Sequence, residues 1–228
     1  MTTHEPTEFA HNAEQDTDPT VVQKPLLRGW IHLVATPVAL IAGLIAVAQP
    51  EETYQRLSVA VFVLCSVVLF GASAVYHLGN WEPTRRAILR RIDHSNIYLL
   101  IAGTYTPLAV LLLEPDTRNL LLGIIWPGAL LGIAVRQFWI SAPRWVYVPI
   151  YVILGWVAIW FLPDIYHGGG GAVVWLVVLG GLLYTAGALI YAIKRPNWFR
   201  YTFGFHETFH VCTVLGWMLH FGAIAASW

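Results

Sequence analysis

Apolar stretches with few or no charges recur along this chain, and they leave few folds open to it. A helix needs about 20 apolar residues to cross about 30 Å of hydrocarbon. Segments 30–48, 57–76, 95–113, 119–135, 145–162, 171–193 and 207–228 meet or approach that length. Hydrocarbon offers no water to backbone N–H and C=O groups, so a spanning segment must bond them internally, as a helix does. The expected fold is all-α: a seven-transmembrane helix bundle over residues 25–228. Pro127 and Pro149 interrupt the two shortest segments, which membrane helices tolerate when neighbours satisfy the freed carbonyls. Of the 228 residues, 57% are hydrophobic and only 11% charged, against about a quarter charged in soluble domains. Trp126, Trp139, Trp145, Trp160, Trp175, Trp198 and Trp228 fall mostly near the segment ends, as in an interfacial belt.

Residues 1–24 carry Glu5, Glu8, Glu14, Asp16 and Asp18 against Lys24. They have no basic start followed by an apolar core, so they do not read as a signal peptide. They read as a disordered acidic tail, with His4 and His11 as solvated tail residues. Gly168–Gly171 reads as a flexible loop. Basic residues set the orientation. Lys24, Arg28, Arg85, Arg86, Arg90, Arg91, Arg136, Arg144, Lys194, Arg195 and Arg200 flank one side, and Arg56 and Arg118 the other. The positive-inside rule therefore places the N-terminus in the cytoplasm and the C-terminus outside, which disfavours a G-protein-coupled receptor. The expected location is the cell membrane, multi-pass, with membrane lipids as partners. A formal net charge of zero disfavours nucleic acid. Cys65 and Cys212 sit in apolar runs and imply no disulfide framework.

On this topology three distant segments bring polar residues to one membrane depth. Ser73 and His77 end the second helix, Asp93 and His94 stand at the mouth of the third, and His206, Glu207 and His210 open the seventh. Ionisable residues at such positions are costly and point to function. His206 and His210 are related as i and i+4, so they share a helix face. Two imidazoles so placed can reach one ion at about 2.0–2.1 Å, and His77 supplies a third nitrogen. Three protein ligands plus a water is the arrangement of catalytic zinc sites, so the expected cofactor is Zn²⁺ on His77, His206 and His210. Ser73 and His77 repeat the i, i+4 relation. Asp93 can orient the water or take its proton. It can equally cap the third helix, and the histidines can equally hydrogen-bond between helices.

Ser73-Ala-Val-Tyr-His77, Asp93-His94 followed by Ile97-Tyr-Leu-Leu-Ile-Ala-Gly-Thr-Tyr-Thr-Pro107, and His206-Glu-Thr-Phe-His210 stand in order along the chain. Together they resemble the hemolysin III-like branch of the progestin and adipoQ receptor superfamily, which includes the adiponectin receptors, over about residues 25–228. The resemblance implies seven helices with the N-terminus inside. It also implies zinc at the cytoplasmic face on His77, His206 and His210, with Ser73 and Asp93 beside it and Asp93 holding a zinc-bound water. One motif departs. That family often has E-x-x-N-x-x-x-H entering the first helix; here His32 remains, Arg28 stands at the Asn position, and Pro25 lies near the Glu position.

His206-Glu-Thr-Phe-His210 also fits the H-E-x-x-H signature of zinc proteases. Those enzymes need a further ligand downstream, and the candidate here is His220, about 15 Å deeper by helical rise. The paired histidines therefore carry the signal, and Glu207 reads as a first-turn acid favoured by the helix dipole. His220 reads as an interhelical hydrogen bonder, His94 as an interfacial histidine, and Gly155, Gly180, Gly181 and Gly187 as close-packing positions. The preferred function is a zinc-dependent hydrolase of a lipid amide or ester, with Asp93 as base and Ser73 stabilising the site. The alternative is a receptor-like or regulatory protein with structural zinc, acting on membrane lipid or energy homeostasis. A pore-forming haemolysin is disfavoured, because the helices carry no charged stripe to line a pore.

Overall fold

The computed structural model describes residues 25–139, 143–199 and 202–228. The expected tail, with His4 and His11, lies outside these residues, as does Arg200. The described fold is all-helical. In chain order come α1 (Trp30–Val47), α2 (Thr53–Leu78), α3 (Pro83–Leu112), α4 (Pro115–Phe138) and α5 (Arg144–Gly155). A 3₁₀ turn over Trp156–Phe161 leads into α6 (Leu162–Ile193), and α7 (Phe205–Ala225) follows.

Among the described residues, six helical stretches are long and apolar enough to cross a membrane. Their outward surface is apolar: Val34, Ile41 and Leu44 on α1, Leu64 on α2, Leu131 on α4 and Leu189 on α6 are all exposed. The interior holds Ser66, Ser73, His77, Asp93, Asn96, Arg136, Glu207 and His210. An apolar exterior around a partly polar interior is what a lipid solvent selects. The chain is a multi-pass membrane protein.

Two elements differ from the reading of the sequence. α3 begins at Pro83 rather than near residue 95. Pro at the first turn is preorganised for a helix, and Arg, Leu and Ala propagate one well. Arg85, Arg86, Arg90 and Arg91 thus ride on helix rather than loop, and Asp93 sits well inside α3, whose N-cap is Glu82. Asp93 is therefore not a helix cap. Secondly, within the 48-residue stretch Val146–Ile193 the loop expected at Gly168–Gly171 narrows to a break at Gly170, with helix on both sides of it. A straight helix of that length would span about 72 Å. Instead Trp156 donates its indole N–H to Thr185 Oγ1 at 2.8 Å, although the two are 29 positions apart. The run doubles back, and Gly170 is its non-helical residue, with φ 73° and ψ −179°. That backbone conformation suits glycine alone.

α7 lies along α6, where small residues let the backbones approach. A Cβ on Gly180 would stand 2.5 Å from the His220 ring, and one on Gly187 2.9 Å from Cys212 Cβ. Gly155 and Gly181 have room around them, so the expected close packing holds at two of the four glycines. His220 Nε2 donates to Val177 O on α6 at 3.0 Å, the interhelical bond expected of it. On its other side α7 meets α2, where Trp217 donates to Ser66 Oγ at 2.8 Å. Cys65 and Cys212 are free thiols. Gly180→Ala must displace the His220 ring and its bond to Val177. Thermal unfolding in detergent should show a loss of about 1–3 kcal/mol, typical of overpacking.

Candidate metal centre

Three helices deliver the polar cluster. The last two turns of α2 present Ser73 and His77, α3 presents Asp93, and the first turns of α7 present His206 and His210. Ser73, His77, Asp93 and His210 are buried, and His206 is half-buried. One nitrogen from each of His77, His206 and His210 lies within 4.8 Å of the others, close enough to hold a metal ion. His77 Nε2 and His206 Nε2 face each other at 3.1 Å. Two nitrogens on one tetrahedral ion at about 2.0–2.1 Å would stand about 3.3 Å apart. His210 Nδ1 is buried with no hydrogen-bond partner among the described residues, a state a buried polar atom rarely keeps without a ligand. The donor set therefore fits a metal.

Asp93 Oδ2 lies 3.8 Å from His77 Nε2, and the Ser73 side chain hydrogen-bonds to the Asp93 carboxyl. Ser73 thus braces Asp93 from α2, beside the three histidines. Of the five residues singled out in the sequence, Ser73, Asp93, His206 and His210 line one pocket, and His77 joins His206 and His210 in the metal-competent group.

Several neighbours were not legible beforehand. His32 on α1 is 2% exposed and stacks on His210, with ring centroids 3.9 Å apart and planes within 10°. Its two ring nitrogens have no partner among the described residues. α1 therefore contributes His32 to the pocket wall, although its motif departs from the expected pattern. Glu207 is fully buried. One carboxylate oxygen accepts from Arg28 Nε at 2.7 Å and the other from the Gly204 N–H at 2.8 Å. It caps α7, as a first-turn acid can, and ties that helix to the segment before α1. Arg28, at the departing position, is the residue that makes this second tie. His94 is half-buried in the pocket wall, its Nδ1 2.8 Å from an Arg136 nitrogen, rather than at a lipid interface.

Below the polar pocket lies a large apolar cavity walled by residues such as Leu100, Ile101, Leu108, Trp156 and Val177. Leu69, Ile97, Tyr151, Phe209 and Thr213 line both spaces, so the two adjoin. A polar histidine cluster opening onto an apolar space is suited to a molecule with a polar linkage and a hydrocarbon part.

The family model of haemolysin-III related proteins matches residues 20–221. The chain belongs to the haemolysin-III related family. The Hemolysin-3 homolog of Bacillus subtilis (strain 168) is 33% identical, over 69% of this chain and 73% of that protein. The Hemolysin-3 of Bacillus cereus is 28% identical, over 76% of this chain and 80% of that one. An Adiponectin receptor protein of Drosophila melanogaster is 22% identical over 86% of this chain and 49% of its own length. This haemolysin-III related chain carries its histidine motifs within the matched region.

Removing the Glu207 carboxylate leaves Arg28 and the Gly204 N–H without their acceptor. Glu207→Ala should cost about 1–3 kcal/mol of stability, the penalty for unsatisfied partners of a charged hydrogen bond. Arg28→Ala should cost at least as much, because it leaves the fully buried Glu207 carboxylate without its cation, whereas Arg28 is partly exposed. Paired thermal melts in detergent check both.

Proposed function

We propose that this protein is a zinc-dependent membrane hydrolase of a lipid amide or ester, acting at the cytoplasmic leaflet. The observation that carries this reading is the placement of Asp93, braced by Ser73, 3.8 Å from the metal-competent His77. His77, His206 and His210 would hold the ion. When bound, zinc supplies Lewis acidity and acidifies a coordinated water towards pH 7. Asp93 Oδ2 would accept the proton of the attacking water and later return it to the leaving nitrogen or oxygen. Ser73 holds Asp93 in position. His32 packs on His210 and fixes the plane of its ring. The adjoining apolar cavity would take the acyl chain and exclude water from it.

The same reading includes seven crossings. Residues 146–169 and 171–193 each make a leg of about 35 Å, enough for one passage apiece, and the Trp156–Thr185 bond supports antiparallel legs. With the weight of Lys and Arg on one side, the N-terminus is cytoplasmic and the C-terminus outside. A reporter fused to the C-terminus should be active only in the exterior compartment; activity in the cytoplasm would refute this topology.

Metal content of detergent-purified protein tests the centre. About one zinc per chain is expected, falling below about a tenth of that in a folded His206→Ala/His210→Ala double variant. Asp93→Asn should keep the metal and lose about 10²–10⁴-fold in hydrolysis of an acyl amide or ester. Zinc retained in both wild type and Asp93→Asn with equal turnover would remove Asp93 as the base. A zinc-loaded protein that hydrolyses nothing across an acyl amide and ester panel would favour the structural, receptor-like role instead.

A further inference from the structure

We infer that the pocket carries a second, anion-binding subsite centred on Arg136, and that the ligand it serves is an acyl lipid bearing a phosphate or carboxylate group. The inference rests on the hydrolase reading for its orientation, but not for its chemistry. Arg136 occupies the last turn of α4, where the sequence suggested a loop cation, yet it is only 3% exposed. It lines the same pocket as Asp93 and His206. Among the described residues the ion pairs are Arg28–Glu207 and His77–Asp93, so no carboxylate lies within 4.0 Å of the Arg136 guanidinium. Its Nε is buried without a hydrogen-bond partner among those residues.

The contacts Arg136 does make leave its charge uncancelled. One terminal nitrogen meets His94 Nδ1 at 2.8 Å. Arginine has donors only, so His94 Nδ1 is the acceptor and the imidazole keeps its proton on Nε2. The guanidinium carbon lies 4.4 Å over the Tyr147 ring, a cation–π contact that orients the fork. Tyr98 and Gly132 pack tightly behind it: a Cβ on Gly132 would meet the Tyr98 ring. A buried guanidinium with neutral neighbours is costly unless an anion completes it, and its fork matches carboxylate and phosphate oxygens.

Tyr191 touches the histidines of both groups, its ring centroid 5.7 Å from that of His206 and 6.3 Å from that of His94. On the hydrolase reading, an anion at Arg136 would be the headgroup of the molecule, with the linkage at the metal centre and the hydrocarbon chain in the apolar cavity.

The test compares three ligands with one oleoyl chain: 1-oleoylglycerol 3-phosphate, N-oleoylglycine and neutral 1-oleoylglycerol. Binding to the full chain in a neutral detergent is read by tryptophan fluorescence. Wild type should bind at least one anionic ligand about tenfold or more tighter than the neutral one, the share of one charged hydrogen bond. A lead for the phosphate would identify a phosphate headgroup, and a lead for the glycine conjugate a carboxylate. Arg136→Gln should bring the anionic ligands to the level of 1-oleoylglycerol and leave the neutral one unchanged. Arg136→Lys, a point charge, should restore part of the preference. Equal binding of all three ligands by wild type overturns the proposal, whether or not the variants fold. So does a loss in Arg136→Gln that is the same for neutral and anionic ligands. Repeating the titration in Asp93→Asn separates the two readings: an anion preference that persists there stands even if no hydrolysis is found.

Discussion

Lipid cannot solvate a polar group, and this restriction organises the whole molecule. A buried polar side chain is costly there unless the bundle or a ligand supplies its partner, and the helices are arranged around such partners. α7 illustrates it. Glu207 accepts from the N–H of the N-cap residue Gly204 and at the same time holds Arg28 from the segment before α1. Trp217 reaches Ser66 on α2, and His220 reaches Val177 on α6. These ties set the height and rotation of α7 and thereby decide where His206 and His210 point.

The cluster that results has the donor set of a metal site. Three imidazoles converge with their nitrogens mutually close, a fourth stacks on them without polar partners, and the nearest acid is braced by a serine from another helix. Hydrophobic residues of similar volume would fill the same space at lower cost. The metal centre we propose would account for the convergence, and the apolar cavity adjoins it. Arg136 extends the same logic: a charge brought into the interior without a carboxylate is a binding feature before it is a structural one.

Much of this was legible from local pattern. Stretches of about 20 apolar residues mark helices because hydrocarbon thickness sets a length. Spacings of four mark a shared face because the helix has 3.6 residues per turn, which is how Ser73 with His77, and His206 with His210, stood out. Hydropathy failed at α3 because it reads where a helix meets lipid, not where it begins; Arg-rich turns that start at Pro83 are good helix with poor hydropathy. At Gly168–Gly171 the expected loop is narrower than the composition suggested, since Gly170 alone leaves the helical conformation and makes the reversal. An arginine immediately after Ile-Ala-Val was the available signal for Arg136, because a charge that continues an apolar helix is seldom idle.

The sequence by itself determined the class of fold, the membrane setting and the histidine pairs, since these follow from solvent, helix length and helix period, all local quantities. Only the tertiary structure decided the rest. It brought His77 across 129 positions to His206, stacked His32 on His210, made the first-turn acid Glu207 a clamp on Arg28, and turned Arg136 inward beside His94 and Tyr147. Those outcomes depend on which helix lies against which, and that is fixed by long-range packing of small residues and buried hydrogen bonds, which no window along the chain encodes.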